Sequence, residues 1–241
     1  MKNVDPESVM NCCGCSCCKL TIGQSNAFVI HPEKPDGRWL CYAPTFIGSY
    51  PADIHTWLFE RILSNGIAIA GIDVGESYGN KAGREIFSRF HSYLTENYQL
   101  QPKAILLAQS RGALMLYNWA AENPSLVDRI AGIYPVCDLR SYPGIEIAAA
   151  AYEMTVEEME NDIEKNNPVD RLDSLVSNKV RIFHVHGDSD EIVPLEQNSA
   201  RLIGRYNDLG GDAKLVIIPG AGHEEIEQFF CCEDLLNFIT E

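Results

Sequence analysis

The chain has 241 residues, 46% of them hydrophobic and 22% charged, and carries a formal net charge of −15. That length buries a sizeable core and fits one α/β domain better than two small ones. The acidic balance argues against nucleic acid as a partner, because phosphate binding needs concentrated Lys and Arg, and it disfavours an anionic membrane; no apolar run is long enough to span a bilayer.

Residues 1–24 read as a poorly ordered tail or an extra turn on the fold. Five of the nine cysteines crowd into it, at Cys12, Cys13, Cys15, Cys17 and Cys18. The odd total, and the cysteines set inside core-like strands, point to reduced thiols and a cytoplasmic setting. No apolar stretch follows Lys2, so no secretory signal is expected. The cluster lacks the paired spacing and neighbouring His of a zinc site, and adjacent Cys-Cys pairs chelate a tetrahedral ion poorly. No metal and no cofactor are expected; an acylation site and a tail without function are the other readings of the cluster.

From residue 25 to 241 the chain alternates short apolar runs with amphipathic ones. Strands are expected at 26–30 and 38–43, separated by a Pro- and Gly-rich turn at 32–37. A helix follows over 53–64, with Ile54, Trp57, Leu58 and Ile62 on one stripe and Asn65-Gly66 as its left-handed cap. The run 67–72 is a buried strand ending at Asp73. The loop 74–80 carries glycines but has neither dinucleotide nor P-loop spacing. Asp73, Glu76 and Tyr78 stand at that strand end, either shaping a pocket or completing a turn. A helix is expected over 83–97, a strand over 104–108, a helix after Gly112 and a strand over 130–134.

Residues 139–175 break the alternation. They hold helical segments at 145–152 and 155–165, the second opened by a Thr155-x-x-Glu158 capping box. The segment is too long for a plain connection and reads as a small lid-like insertion. A strand at 180–186, a helix at 195–208, a strand at 214–218 and a closing helix at 224–239 complete the chain. Such alternation predicts a mostly parallel, doubly wound sheet, with ligands bound beyond the carboxyl ends of the strands.

The centre of the pattern is Ala108-Gln109-Ser110-Arg111-Gly112. A strand turning sharply into a helix needs small residues two before and two after the apex. The apex hydroxyl is then held out of the sheet at a cleft, as in a nucleophile elbow. Taken alone, Ser110 could equally be a helix N-cap. It is not alone. His186-Gly187-Asp188-Ser189-Asp190-Glu191-Ile192-Val193-Pro194 follows one expected strand, and Gly220-Ala221-Gly222-His223 follows the next. A serine is a weak nucleophile until a base takes its proton; an imidazole does that near neutrality, and a carboxylate behind it fixes its tautomer. Asp138, at another strand end, is an alternative acid. His184 and His186 alternate on one strand face and could ligate a metal, but no carboxylate–His motif accompanies them, so a packing role is the plainer reading.

Together these three loops resemble the signature loops of the α/β-hydrolase superfamily, in its esterase, dienelactone-hydrolase and prolyl-oligopeptidase-like branches, over about residues 26–241. The resemblance implies an α/β-hydrolase fold with Ser110 as nucleophile, Asp190 as acid and His223 as base. Two positions depart from the pattern. Ala108 replaces the first glycine of the elbow, and Ala43-Pro44-Thr45-Phe46 replaces the family's His-Gly loop. Pro44 has no N–H, so the implied oxyanion donors are the backbone N–H of Arg111 and that of Thr45 or Phe46. The expected function is a serine hydrolase acting on a small-molecule carboxylic ester through an acyl-enzyme, with an oligopeptidase-like peptidase and a non-catalytic binding protein as alternatives. Arg111 is a further candidate for attracting a substrate carboxylate. The oligomeric state is not legible.

Overall fold

In a computed structural model of the protein, residues 8–12 and 15–241 are described. Among these described residues nine strands form one sheet: β1 (Ser8–Cys12), β2 (Cys15–Ile22), β3 (Ser25–Ile30), β4 (Trp39–Ala43), β5 (Ala68–Ile72), β6 (Ala104–Gln109), β7 (Val127–Ile133), β8 (Arg181–Gly187) and β9 (Ala213–Ile218). Their spatial order is β1-β2-β3-β5-β4-β6-β7-β8-β9. From β5 to β9 every pairing is parallel, and β1, β2 and β3 extend the sheet antiparallel. The mostly parallel α/β sheet is therefore as expected.

The tail reading of residues 1–24 is corrected in part. Residues 8–12 and 15–22 are sheet strands, and β2 sends Cys17 to one core and Leu20 to the other. Its run Cys17-Cys18-Lys19-Leu20 hides the alternation, because cysteine scores as a poor strand marker although it packs as a small apolar side chain. Cys13 lies outside the described residues, and with it part of the cysteine cluster.

Among the described residues ten helices accompany the sheet: α1 (Thr56–Ser64), α2 (Lys81–Asn97), α3 (Gly112–Glu122), α4 (Ile145–Ala151), α5 (Val156–Asn161), α6 (Ile163–Asn166), α7 (Asp173–Ser177), α8 (Ser199–Asp208), α9 (Glu227–Phe230) and α10 (Glu233–Thr240). Period-two alternation in the strands builds two cores. In β6, Ala104, Leu106 and Ala108 pack with α2, α3, α7 and α8, whereas Ile105 and Leu107 pack with α1, α9 and α10. A fully buried Leu or Ile contributes about 1.5–3 kcal/mol; since both faces of each central strand are filled, this burial fixes the register of the strand ends.

The expected closing helix over 224–239 is two helices. Cys232 is extended between them, at φ −72° and ψ 108°, and residues 221–226 form a loop that lets His223 turn towards the sheet edge. Helix α5 does open with the Thr155–Glu158 capping box.

Candidate active site

The apex of the elbow is strained as its sequence requires. Ser110 has φ 47°, in the left-handed region that only glycine enters without cost. The turn is anchored by Ser110 N–H donating to Ile133 O at 3.0 Å and by Val136 N–H donating to Ser110 O at 2.9 Å. Gly112 explains how close the helix start comes to the β4 exit. A Cβ there would overlap the Ala43 carbonyl and Pro44 N. Gly187 plays the same part at the end of β8, where a Cβ would run into the Ala221 backbone.

That second close approach joins the acid loop to the histidine loop. Ser189 N–H donates to Ala221 O at 3.0 Å, and Gly220 N–H donates to Asp188 Oδ1 at 2.7 Å. Asp188 thus orders the loop and is not part of the reacting set. Three side chains then line up: Ser110 Oγ lies 2.9 Å from His223 Nε2, and His223 Nδ1 lies 2.7 Å from Asp190 Oδ2. The structure brings all three candidates, 113 residues apart at the extreme, into one hydrogen-bonded chain.

The Asp190 carboxylate is buried. Its Oδ1 accepts from Ile192 N–H at 3.0 Å and Val193 N–H at 2.8 Å, and His186 Nε2 lies 3.3 Å from Oδ2. Burial alone would raise its pKa. Hydrogen bonds from His186, His223 and Val193 N–H outweigh that and hold it well below the usual carboxylate range. Asp138, the alternative acid, is committed elsewhere: it accepts from Arg201 at 2.7 Å, from Asn167 at 3.1 Å and from Arg140 N–H at 2.9 Å. It ties the 139–175 segment to α8.

Of the two expected oxyanion donors beside Arg111, the structure leaves one. Phe46 N–H donates to Tyr50 O at 2.9 Å, closing a tight turn, so Phe46 is corrected out of that role. Thr45 is buried, its hydroxyl donating to Tyr42 O at 3.1 Å. Phe46 instead supplies a ring 5.1 Å from the Arg111 guanidinium, whose Nε donates to Glu76 at 3.0 Å.

Sequence reasoning passed over Gln109, Tyr134, Tyr50 and His55. Gln109 is buried beside the apex. Its Oε1 accepts from Tyr42 Oη at 2.7 Å and from His55 Nε2 at 2.7 Å, and its Nε2 donates to Tyr134 Oη at 2.9 Å. His55 Nδ1, on the far side of the ring, lies 3.1 Å from Ala52 N and 2.9 Å from Ala52 O. Burial lowers the His55 pKa, outweighing the hydrogen bonds to Gln109 and Ala52 that raise it. The one available signal was a buried amide at the end of an apolar strand. Tyr134, itself at φ 34°, sets its ring 4.5 Å from that of His223.

Pro44, Tyr50, Ser110, Tyr134, Glu224 and Glu225 wall a cavity of about 200 Å³. No residue of 139–175 lines it among the described residues. The expected lid is instead a packed block beside the site: Met159 and Ile163 bury against Leu114, Val136 and Val193, and Tyr152 Oη donates to Tyr78 O at 3.0 Å. His184 and His186, the possible metal ligands, have their ring nitrogens in hydrogen bonds to Tyr117, Ser199 and Val193. No group of three His, Cys, Asp or Glu among the described residues is arranged to hold a metal. No helix among them is long and apolar enough to cross a membrane.

Solved structures share this architecture at low sequence identity. An S-formylglutathione hydrolase from Agrobacterium tumefaciens is 12% identical with a TM-score of 0.73, over 99% of this chain and 98% of its own. Est1E from Butyrivibrio proteoclasticus is 17% identical with a TM-score of 0.64, over 97% of each chain. A puromycin-hydrolyzing peptidase from Mycobacterium tuberculosis is 16% identical with a TM-score of 0.67, over 89% of this chain but only 36% of its own, so this chain spans about a third of that peptidase. Among the curated proteins none matches this sequence. The fold is that of the α/β-hydrolases. The model of the prolyl oligopeptidase family matches residues 77–237, a span that runs from the loop before α2 through the elbow, the acid loop and the histidine loop. With two thirds of its length inside that match, the chain belongs to the prolyl oligopeptidase family of serine hydrolases.

Proposed function

We propose that the protein hydrolyses small carboxylic esters through an acyl-enzyme, with Ser110 as nucleophile, His223 as general base and Asp190 as the carboxylate behind it. The unbroken contact from Ser110 Oγ to His223 Nε2 to Asp190 Oδ2, at 2.9 and 2.7 Å, carries the reading. Asp190 accepts from His223 Nδ1–H, which leaves Nε2 free to take the Ser110 proton as Oγ attacks the acyl carbon. The anionic Asp190 stabilises the imidazolium. The carbonyl oxygen becomes an oxyanion facing the Arg111 and Thr45 N–H groups. His223 then returns the proton to the departing alcohol oxygen. Water, deprotonated by the same imidazole, cleaves the acyl-enzyme and restores Ser110.

Ester rather than peptide is favoured by the cavity. About 200 Å³ holds a short acyl group and not a run of peptide residues. Arg111 is half neutralised by Glu76, and Glu224 and Glu225 share the wall, so the site favours neutral over anionic acyl groups. The test is labelling with a fluorophosphonate, followed by turnover of p-nitrophenyl esters and peptide p-nitroanilides. The parent is expected to label and to cleave short-chain esters faster than anilides. Ser110→Ala is expected to lose labelling and about 10⁵–10⁶ in kcat. An unlabelled parent would overturn the hydrolase reading; faster anilide cleavage would move it to a peptidase.

A further inference from the structure

Four buried polar side chains stand behind Asp190. Tyr117 Oη lies 2.7 Å from His184 Nε2. His184 Nδ1 lies 3.0 Å from Ser199 Oγ, and Ser199 Oγ lies 2.8 Å from His186 Nδ1. His186 Nε2 lies 2.8 Å from Val193 O and 3.3 Å from Asp190 Oδ2. Both imidazoles and Ser199 are 0% exposed, so bulk solvent does not reach these links.

With both imidazoles neutral, the donor and acceptor inventory assigns every proton in this chain. Val193 O can only accept, so His186 carries its proton on Nε2. Its Nδ1 must then accept, and only the Ser199 hydroxyl can donate to it. Ser199 Oγ is left to accept from His184 Nδ1–H, and His184 Nε2 to accept from Tyr117 O–H. All four bonds therefore run the same way, from Tyr117 towards Asp190. Such same-sense chains polarise one another and strengthen cumulatively. The chain also closes a ring: Tyr117 lies on α3, the helix that begins at the elbow, and Val193, whose O accepts from His186, gives its own N–H to Asp190 Oδ1 at 2.8 Å.

We propose that His186 is a positioning residue for Asp190, the last donor of a one-way buried relay that runs from Tyr117 through His184 and Ser199 and clamps the acid both directly and through the Val193 peptide. The relay's role in turnover rests on the hydrolase reading above, but its proton arrangement does not. The groups facing His186 are His184 on its own strand β8, Asp190 and Val193 on the loop that follows it, and Ser199 on α8. Removing its N–H leaves more negative charge on Asp190 facing His223, and frees the Val193 peptide to shift. The clamp thus acts on the base only through the acid.

The experiment has two arms. In the first, ¹⁵N-labelled histidine in the intact protein is read by long-range ¹⁵N–¹H correlation. The expected tautomers are Nε2–H for His186 and Nδ1–H for His184. The opposite tautomer at either residue overturns the relay whether or not the protein turns over esters. In the second, His186→Phe, His186→Gln and Ser199→Ala are compared on a p-nitrophenyl ester. His186→Phe is expected to lower kcat about 10–100-fold, the range typical of outer partners that orient a reacting imidazole. KM should stay within about twofold. The acid limb of kcat/KM should move up by about half a pH unit, because a less stabilised carboxylate raises the pKa of its histidine. Gln, which can donate and accept along the same line, should recover most of the rate. Ser199→Ala, a small change that breaks the relay at its middle, should lower kcat several-fold and serves where His186→Phe fails to fold. Unchanged kcat and an unmoved acid limb in the folded variants would overturn the positioning role. A parent that neither labels nor turns over would sink the hydrolase reading instead, with the tautomers still deciding the relay.

Discussion

His184 shows how a single side chain ties the site to the stability of the core. Burial, with the neighbouring His186 adding to it, pushes its pKa down to about 3 from an ordinary 6.5. The native state therefore refuses a proton that the unfolded chain accepts. Above pH 6.5 neither state binds that proton and the group adds no pH dependence. As pH falls from 6.5 towards 3 the unfolded state gains it, and stability falls by up to about 1.4 kcal/mol per pH unit. Between pH 7 and pH 5 the share of His184 is about 2 kcal/mol. His184→Gln can keep a bond to Ser199 without titrating. Urea unfolding at the two pH values should show a smaller loss for the variant than for the parent, from a lower starting stability at pH 7. Equal losses in both would mean that the imidazole is not held neutral. His184 and His186 were legible in the sequence only as two polar residues on one strand face. Their partners Tyr117 and Ser199 sit 67 and 15 residues away, and no local pattern relates them. Ser110, Asp190 and His223 were legible because each stands at a strand end within a loop whose small residues are themselves informative.

At the scale of elements, the elbow depends on how closely α3 approaches the end of β4. The contact is backbone against Gly112, with no room for a methyl group. Gly112→Ala must push the start of α3 and the 43–46 loop apart, and these carry the two proposed oxyanion donors. Overpacking of this kind costs about 1–3 kcal/mol, and losing the alignment of one donor costs about 10²–10³ in kcat. The expected outcome is a folded, less stable protein whose kcat on a p-nitrophenyl ester falls at least tenfold while KM holds. Full activity in that variant would show that the loop and helix can part without harm, and the oxyanion site would have to be sought elsewhere. Strands and helices with clean periodicity were legible, β6 and α3 above all. Glu224 to Ile239 keeps helical spacing of apolar residues, so its sequence points to one continuous closing helix. What breaks it is tertiary: His223 must reach Ser110, and the residues beside it are drawn into a loop. The 139–175 block was legible as an insertion but not by its place, since packing on Leu114 and Val193 is a long-range choice.

For the whole molecule, the N-terminal hairpin governs one end of the sheet. β2 pairs with β3 from Cys18 opposite Val29 to Ile22 opposite Ser25. It covers what would otherwise be an exposed edge of a strand buried at Ala27, Phe28, Val29 and Ile30. Bare edges of that kind pair with other chains. The residues of the proposed chemistry lie across β5 and β4 from the hairpin, at the carboxyl ends of β6, β8 and β9. Deleting residues 1–22 should therefore separate stability from activity. The shortened protein should melt several degrees lower and form aggregates on gel filtration at concentrations where the parent does not. Its monomeric fraction should still take a fluorophosphonate at Ser110 at a rate near that of the parent. Loss of labelling in that fraction would show that the hairpin shapes the site through β3 and β5, since strain would then have to cross two strands to reach the β4 exit loop. Retained labelling with an unchanged melting temperature would mean that the edge is protected by something other than its two added strands.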